Sequence, residues 1–371
     1  MRVCERSHKW IVDTFHSKKR SPKAIVNLCL AAEKCGMAQA EFSPQRIGIV
    51  GAGAIGGHFA ARLIEAGHDV SLLVRDDAIA RFRHHGLRYS SQGQPFHTLP
   101  VKAYASAAEM GRQDLVLIAV KSQVLPGLAP LLSPLIGRDS VILPVGNGLP
   151  WWYFLPTGVR LQDLRLRSVD PAGAIERALP LGQVLGGSIM ASCHSPEPGV
   201  VVHSSGGRVV IGEPTGGTSD RTLHWSKVLT AAGIETAVSP DIRQAIWLKL
   251  LGNICVNPIS LLTMSSTDVL LADEGTRKVF RDAMRECIAL GSHLGLALEI
   301  DVDQRMAQTR SLGAIKTSML QDMENGRHVE LDAIVGAALE CANALDLSMP
   351  RLETLAALAR MRARRAGLYS G

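Results

Sequence analysis

Residues 46 to 76, RIGIVGAGAIGGHFAARLIEAGHDVSLLVRD, constrain the fold more than any other stretch of the chain. Ile47 to Val50 is a strand-like apolar run. Gly51, Gly53 and Gly56 follow in GxGxxG spacing and open a helix whose apolar face includes Ile55, Phe59 and Leu63. Gly67 ends that helix, and Val70 to Val74 supplies a second strand. A side chain at the three glycines would block, in turn, the tight turn, the approach of a pyrophosphate and the close helix contact, while the helix N-terminus attracts phosphate charge. A dinucleotide is therefore expected along Gly51, Gly53, Ala54, Ile55 and Gly56, on a Rossmann-type parallel sheet.

The residue after the second strand selects the dinucleotide, because an acid there accepts bonds from the NAD ribose and a cation pairs with the NADP phosphate. Arg75 occupies that place and favours NADP, although Asp76 and Asp77 follow directly and read the other way or as solvated turn residues. Two later apolar runs, DLVLIAVKS (114–122) and SVILPVGNG (140–148), read as buried strands ending in Lys121 and in Asn147 and Gly148. Polar residues at the carboxyl ends of parallel strands overlie the crevice where such sheets bind ligands, so both point to the nicotinamide or substrate edge. Plain loop residues are the alternative.

The segment WLKLLGNICVNP (247–258) places Lys249, Asn253 and Asn257 at i, i+4 and i+8, on one side of an otherwise apolar helix. Buried amides and ammonium groups cost free energy unless satisfied, so the stripe reads either as the wall of a cavity or as a solvent-facing strip. An ammonium suits reduction of a ketone: hydride delivery puts negative charge on oxygen, and Lys249 can stabilise that charge and supply the proton. A carboxylate such as Glu330 in the same cavity would oppose the pKa drop that burial brings. Glu330 lies just after the Asn325-Gly326 turn, near an expected helix start; a surface helix acid is its commoner fate.

At 371 residues the chain is long enough for two domains. Residues 46–239 read as the dinucleotide-binding domain, with 182–213 extending its sheet, and 240–366 as an all-helical substrate and catalytic domain. Met37 opens MAQAEFSPQ immediately before the first strand, so residues 1–45 read as a disordered or mis-assigned extension. The formal charge of +6 is concentrated there: eight cations against three acids in residues 1–40 leave the remaining 331 residues at +1, with no basic footprint for a nucleic acid. No apolar run reads as a membrane span. Seven scattered cysteines without CxxC spacing, and twelve histidines without HExxH, point to reduced thiols in a cytoplasm rather than to disulfides or a zinc site; no metal is expected.

Taken in order, GAGAIG, Val120-Lys121, Asn147-Gly148, KLLGNICVNP, SMLQD and the glutamate of VELD resemble the ketopantoate reductase (2-dehydropantoate 2-reductase) family, over about residues 46–362. The resemblance implies a Rossmann-type NADP-binding domain followed by a helical domain of the hydroxyacid dehydrogenase type, a small 2-oxo acid substrate, NADPH as cofactor and a homodimer. It further implies that Lys249 is the general acid, that Glu330 holds the substrate hydroxyl, and that Asn253, Asn257 and Ser318 line the substrate pocket. Lys121 and Asn147 would then lie near the cofactor and the reacting carbonyl. Two features depart from the family pattern. Trp151, Trp152, Tyr153 and Phe154 stand where they narrow the cleft or pack between domains, and Ile315 stands three residues before Ser318, where a polar pocket residue is expected. The alternatives are reduction of a different 2-oxo acid and a non-catalytic NADP(H)-binding sensor.

Overall fold

The computed structural model describes residues 43–311 and 313–370, and the chain from Pro44 onward packs as one compact unit. Up to residue 42, the extension read from the sequence lies outside the described residues. Among the described residues ten strands are formed: β1 (Arg46–Val50), β2 (Asp69–Leu73), β3 (Leu87–Ser91), β4 (His97–Leu99), β5 (Lys102–Tyr104), β6 (Gln113–Ile118), β7 (Ile136–Pro144), β8 (Gly186–His194), β9 (Val200–Gly212) and β10 (Thr236–Val238). The α-helices of the first half are α1 (Ala54–Glu65), α2 (Asp76–His85), α3 (Ala107–Met110), α4 (Leu125–Leu128), α5 (Ala174–Ala178) and α6 (Asp220–Ala231). Among the described residues from 242 onward the elements are helical: α7 (Ile242–Thr263), α8 (Thr267–Ala272), α9 (Glu274–His293), α10 (Val302–Ser311), α11 (Ser318–Glu324), a π-helical turn at Asp332–Gly336, α12 (Ala337–Ala344) and α13 (Pro350–Arg365). A parallel-sheet α/β domain thus precedes a helical one.

The first sheet runs β5-β2-β1-β6-β7, with every pair parallel. Ile47, Ile49 and Val50 of β1 are wholly buried, as a parallel strand covered on both faces requires. The chain leaves β1 toward β2 on one side and returns as β6 on the other, so the loops after β1 and β6 flank the point where strand order reverses, the usual ligand crevice of such sheets.

Residues 182–213 do not extend that sheet, as the sequence reading had it, beyond the single bridge between Ile142 and Val184. β8 turns away and forms a long antiparallel pair with β9, and β9 continues into a second sheet, β10-β9-β3-β4. The departure begins at Gly186 and Gly187. A Cβ at Gly186 would stand 2.8 Å from the Trp152 ring, and one at Gly187 would stand 2.8 Å from the Pro144 carbonyl, so backbone and neighbours meet too closely for side chains.

Helix α7 is the axis of the helical part and packs against α9, α11 and α13. Asp241 caps it by accepting from the Gln244 N–H at 3.0 Å, and Met264 closes it in the left-handed region. Gly291 of α9 lies so close to Trp247 that a Cβ would fall 2.4 Å from its indole nitrogen. By length and composition α7 could cross a membrane, which corrects the reading that no apolar run does so; the structure buries two-thirds of its apolar stretch in the core. The four described cysteines are free thiols.

Candidate active site

The glycine turn has the shape a pyrophosphate needs. Gly51 adopts φ +93°, and a Cβ there would meet Val120 at 2.6 Å; at Gly56 a Cβ would lie 1.9 Å from the Gly51 carbonyl oxygen. At Gly53, by contrast, a Cβ would meet nothing within 4 Å, so that face of the turn is open. Gly53 caps α1 without a side-chain bond and the first turn carries no acid, which leaves the N–H groups of Ala54 and Ile55 for an anion. These residues fit a dinucleotide. Arg75 follows β2, whose Leu73 carbonyl accepts from the Gly51 N–H at 3.0 Å, and it projects into solvent with its guanidinium 3.3 Å from Asp77.

The chemistry-bearing side chains converge from four distant segments. Lys249, half-buried on α7, donates to Asn147 Oδ1 at 2.9 Å; Asn147 Nδ2 donates to Glu330 Oε2 at 3.4 Å. Glu330 is buried just before the π-helical turn, and its Oε1 accepts from the Ser122 N–H at 3.0 Å. Lys121 Nζ lies 3.8 Å from Glu330 Oε2 and is hydrogen-bonded to the buried Asp322. Gly148 locks the loop that carries Asn147. It adopts φ +85°, a Cβ would fall 2.2 Å from the Ala333 carbonyl oxygen, and that oxygen accepts from the Leu149 N–H at 3.0 Å. Asn147 and Glu330 are thereby fixed to one another through the backbone on either side of them.

Burial pushes the Lys249 ammonium down to about 8, against the opposing pull of Glu330. Burial also raises the Asp322 carboxyl, partly offset by Lys121. Lys249, Asn147 and Asn253 line a narrow cleft of about 60 Å³ between the carboxyl ends of β6 and β7 and the face of α7. Its apolar walls are Ile118, Val120, Leu149, Ile246 and Leu250, with Trp151 and Trp152 closing one side. The polar stripe of α7 is therefore a cavity wall for its first two members. Asn257, a turn further on, is buried with its Nδ2 lacking a hydrogen-bond partner among the described residues.

The structure brings together Lys121, Asn147, Lys249 and Glu330, and places Asn253 on the same cleft. Ser318 is exposed at the start of α11, and it is the neighbouring Thr317 that turns inward, sharing a 2.6 Å bond with Ser260 Oγ. Ile315 is exposed and its carbonyl accepts from the Thr267 N–H. The aromatic run divides its work: Trp151 and Trp152 face the cleft, while the Tyr153 hydroxyl donates to the Arg243 carbonyl at 2.9 Å and Arg243 stacks over both the Tyr153 and Phe154 rings. Asp322 was not singled out from the sequence, and the spacing of SMLQD carried no signal for it: Ser318, four residues earlier, is exposed, and the partner of Asp322 is Lys121, 201 residues away.

A dinucleotide turn on a parallel sheet, a helical second domain and a lysine in the cleft beside both define a two-domain oxidoreductase. Comparison with known proteins makes the class specific. A profile described as ketopantoate reductase PanE/ApbA matches residues 47–216, and its C-terminal counterpart matches residues 241–363. A 2-dehydropantoate 2-reductase of Mesorhizobium japonicum is 40% identical over 326 residues, covering 88% of this chain and all of the relative. A crystal structure of a putative ketopantoate reductase from Ralstonia solanacearum superposes with a TM-score of 0.85 at 39% identity, covering 88% of this chain and 100% of that one. One of 2-dehydropantoate 2-reductase from Geobacter metallireducens gives 0.75 at 32%, with 85% and 99% covered. The chain belongs to the ketopantoate reductase family.

Proposed function

We propose that this chain reduces 2-dehydropantoate to pantoate with NADPH, in the route to pantothenate and coenzyme A, with Lys249 as the general acid. The observation that carries the reading is the 2.9 Å bond from Lys249 Nζ to Asn147 Oδ1 on the wall of the cleft that begins at the sheet's switch point. The nicotinamide, when bound, supplies the hydride. Lys249 then neutralises the charge developing on the carbonyl oxygen and passes its proton to that oxygen. With its pKa near 8, roughly nine-tenths of the lysine is protonated at pH 7.

Asn147 orients the ammonium, Asn253 adds donor and acceptor capacity to the cleft, and the buried Asn257 amide offers N–H groups to an acceptor oxygen. Glu330 keeps a lone pair on each oxygen beyond the bonds from Ser122 and Asn147, as an acceptor for a substrate hydroxyl. Ser318 is assigned to the substrate on the resemblance alone. Lys121 stands one residue from Val120, which touches the glycine turn, and so joins the cofactor loop to the acids. Arg75 is assigned to the 2′-phosphate.

The test is NADPH oxidation followed by absorbance on 2-dehydropantoate, beside a panel of other 2-oxo acids and with NADH as control. Efficient NADPH-preferring turnover of 2-dehydropantoate supports the assignment. Turnover confined to bulkier, more apolar oxo acids favours the second reading, which rests on the indole wall of Trp151 and Trp152. NADPH binding without turnover of any oxo acid overturns both in favour of a sensor.

A further inference from the structure

A second cluster of chemistry-bearing side chains lies away from the Lys249 cleft, where α1 packs on the second sheet. His58 on α1 and His203 on β9 are buried, and their rings lie 4.4 Å apart between centroids, tilted 36° to one another. Cys193 on β8 is the register partner of His203 across the antiparallel pair, so the two side chains leave the sheet on one face. Ligand atoms of His58, Cys193 and His203 all lie within 4.8 Å of one another.

The surroundings suit a metal ion. Gly207 adopts φ +125°, and a Cβ there would stand 3.7 Å from His203 Nε2 and 4.0 Å from His58 Nε2, so the glycine leaves space beside both nitrogens. The outer nitrogens are already engaged by β3: His58 Nδ1 lies 2.8 Å from the Tyr89 hydroxyl and His203 Nδ1 lies 2.8 Å from Ser91 Oγ. Hydrogen bonds at the far ring nitrogen are what orient metal-bound histidines. Cys193 is half-buried, giving an ion a way in.

We propose that His58, Cys193 and His203 bind a transition-metal dication of the zinc class, with a water or external ligand in the fourth position. Binding replaces the thiol proton, which goes to solvent, by a metal–sulfur bond; His203 Nε2 gives up its 2.9 Å bond to the Gly206 carbonyl. Ligand atoms in a tetrahedral zinc site stand roughly 3.5 Å apart, so the cluster contracts by about one ångström. The three ligands come from α1, β8 and β9, which is why chain spacing shows no motif; the ion would pin the dinucleotide-binding helix to the second sheet.

The test uses full-length protein stripped with chelator and then titrated with Co²⁺ alone. A thiolate-to-cobalt charge-transfer absorption saturating at one ion per chain is expected, lost in Cys193→Ser and weakened at least about tenfold in His58→Gln and His203→Gln. Co²⁺ should also raise the melting temperature of the wild type and not that of Cys193→Ser. Alkylation of Cys193 in the wild type, read by peptide mass spectrometry, should slow on adding Co²⁺, and this readout needs no variant to fold. No charge-transfer band in the wild type, a band undiminished in a folded Cys193→Ser, or alkylation indifferent to Co²⁺ would each overturn the proposal.

Discussion

If Lys249 delivers the proton, the pH profile of reduction should carry its perturbed pKa. A general acid works only when protonated, so kcat/KM for the oxo acid should be level below the pKa and fall above it. With the ammonium lowered to about 8 by burial, the protonated fraction drops from roughly nine-tenths at pH 7 to roughly one-tenth at pH 9, a loss of about tenfold. A lysine with the ordinary value near 10.5 would lose only a few per cent over that interval. The reverse oxidation, which needs the neutral amine, should rise across the same range. Glu330 raises the lysine pKa, so Glu330→Gln should move the reductive limb to lower pH, whatever it does to the absolute rate. The assay is initial-rate NADPH oxidation at subsaturating 2-dehydropantoate from about pH 6 to about pH 10 at constant ionic strength. A profile flat through pH 9, or a limb that stays in place in Glu330→Gln, would refute the reasoning.

Lys249→Ala should lower kcat by about 10² to 10⁴ while NADPH affinity, measured by fluorescence titration, stays within about twofold; a kcat near the wild-type value removes the general-acid role. Arg75→Ala should raise the dissociation constant for NADPH by about tenfold or more and leave NADH nearly untouched, since only NADPH presents a 2′-phosphate; equal losses for both reject that contact. Gly56→Ala places a Cβ 1.9 Å from the Gly51 carbonyl oxygen, so the turn must shift and both dinucleotides should bind at least about tenfold more weakly in the same titration. Unchanged binding would mean that the turn does not hold the pyrophosphate.

The parts of the fold that could be read from the sequence were those whose cause is local. The glycine turn, the two strands before Lys121 and Asn147, and the polar stripe of α7 each follow from residues within about a dozen positions of one another; the strands close earlier than their apolar runs imply, at Ile118 and Pro144, so that Lys121 and Asn147 stand in the loops beyond them. Even there spacing left the stripe undecided between cavity wall and solvent face, because that depends on what packs opposite; β6 and β7 supplied the answer. The second sheet had no local signature, since a parallel pairing of β3 with β9 joins segments that show only that each is strand-like. Asp322 looked like an ordinary polar residue on a short helix, and only Lys121, arriving from 201 residues away, shows why it is buried. Ser318 shows the opposite limit: a neighbouring residue on the same turn, Thr317, took the inward position.

The pairing of β3 with β9 has a consequence for how the chain reaches this state. Ser91 and His203 lie opposite one another across 112 residues, so β3 cannot find that neighbour until most of the α/β domain has been made. At the ~5–20 residues per second of protein synthesis, the wait on the ribosome is roughly 6 to 20 s. Throughout it the β3–β4 hairpin carries an open edge able to recruit other strands, and once β9 has been made the sheet closes through a long loop, a slow step by comparison with helix formation. Aggregation during overexpression should therefore begin in this hairpin, and conditions that slow translation or shield nascent strands should improve the yield of folded protein.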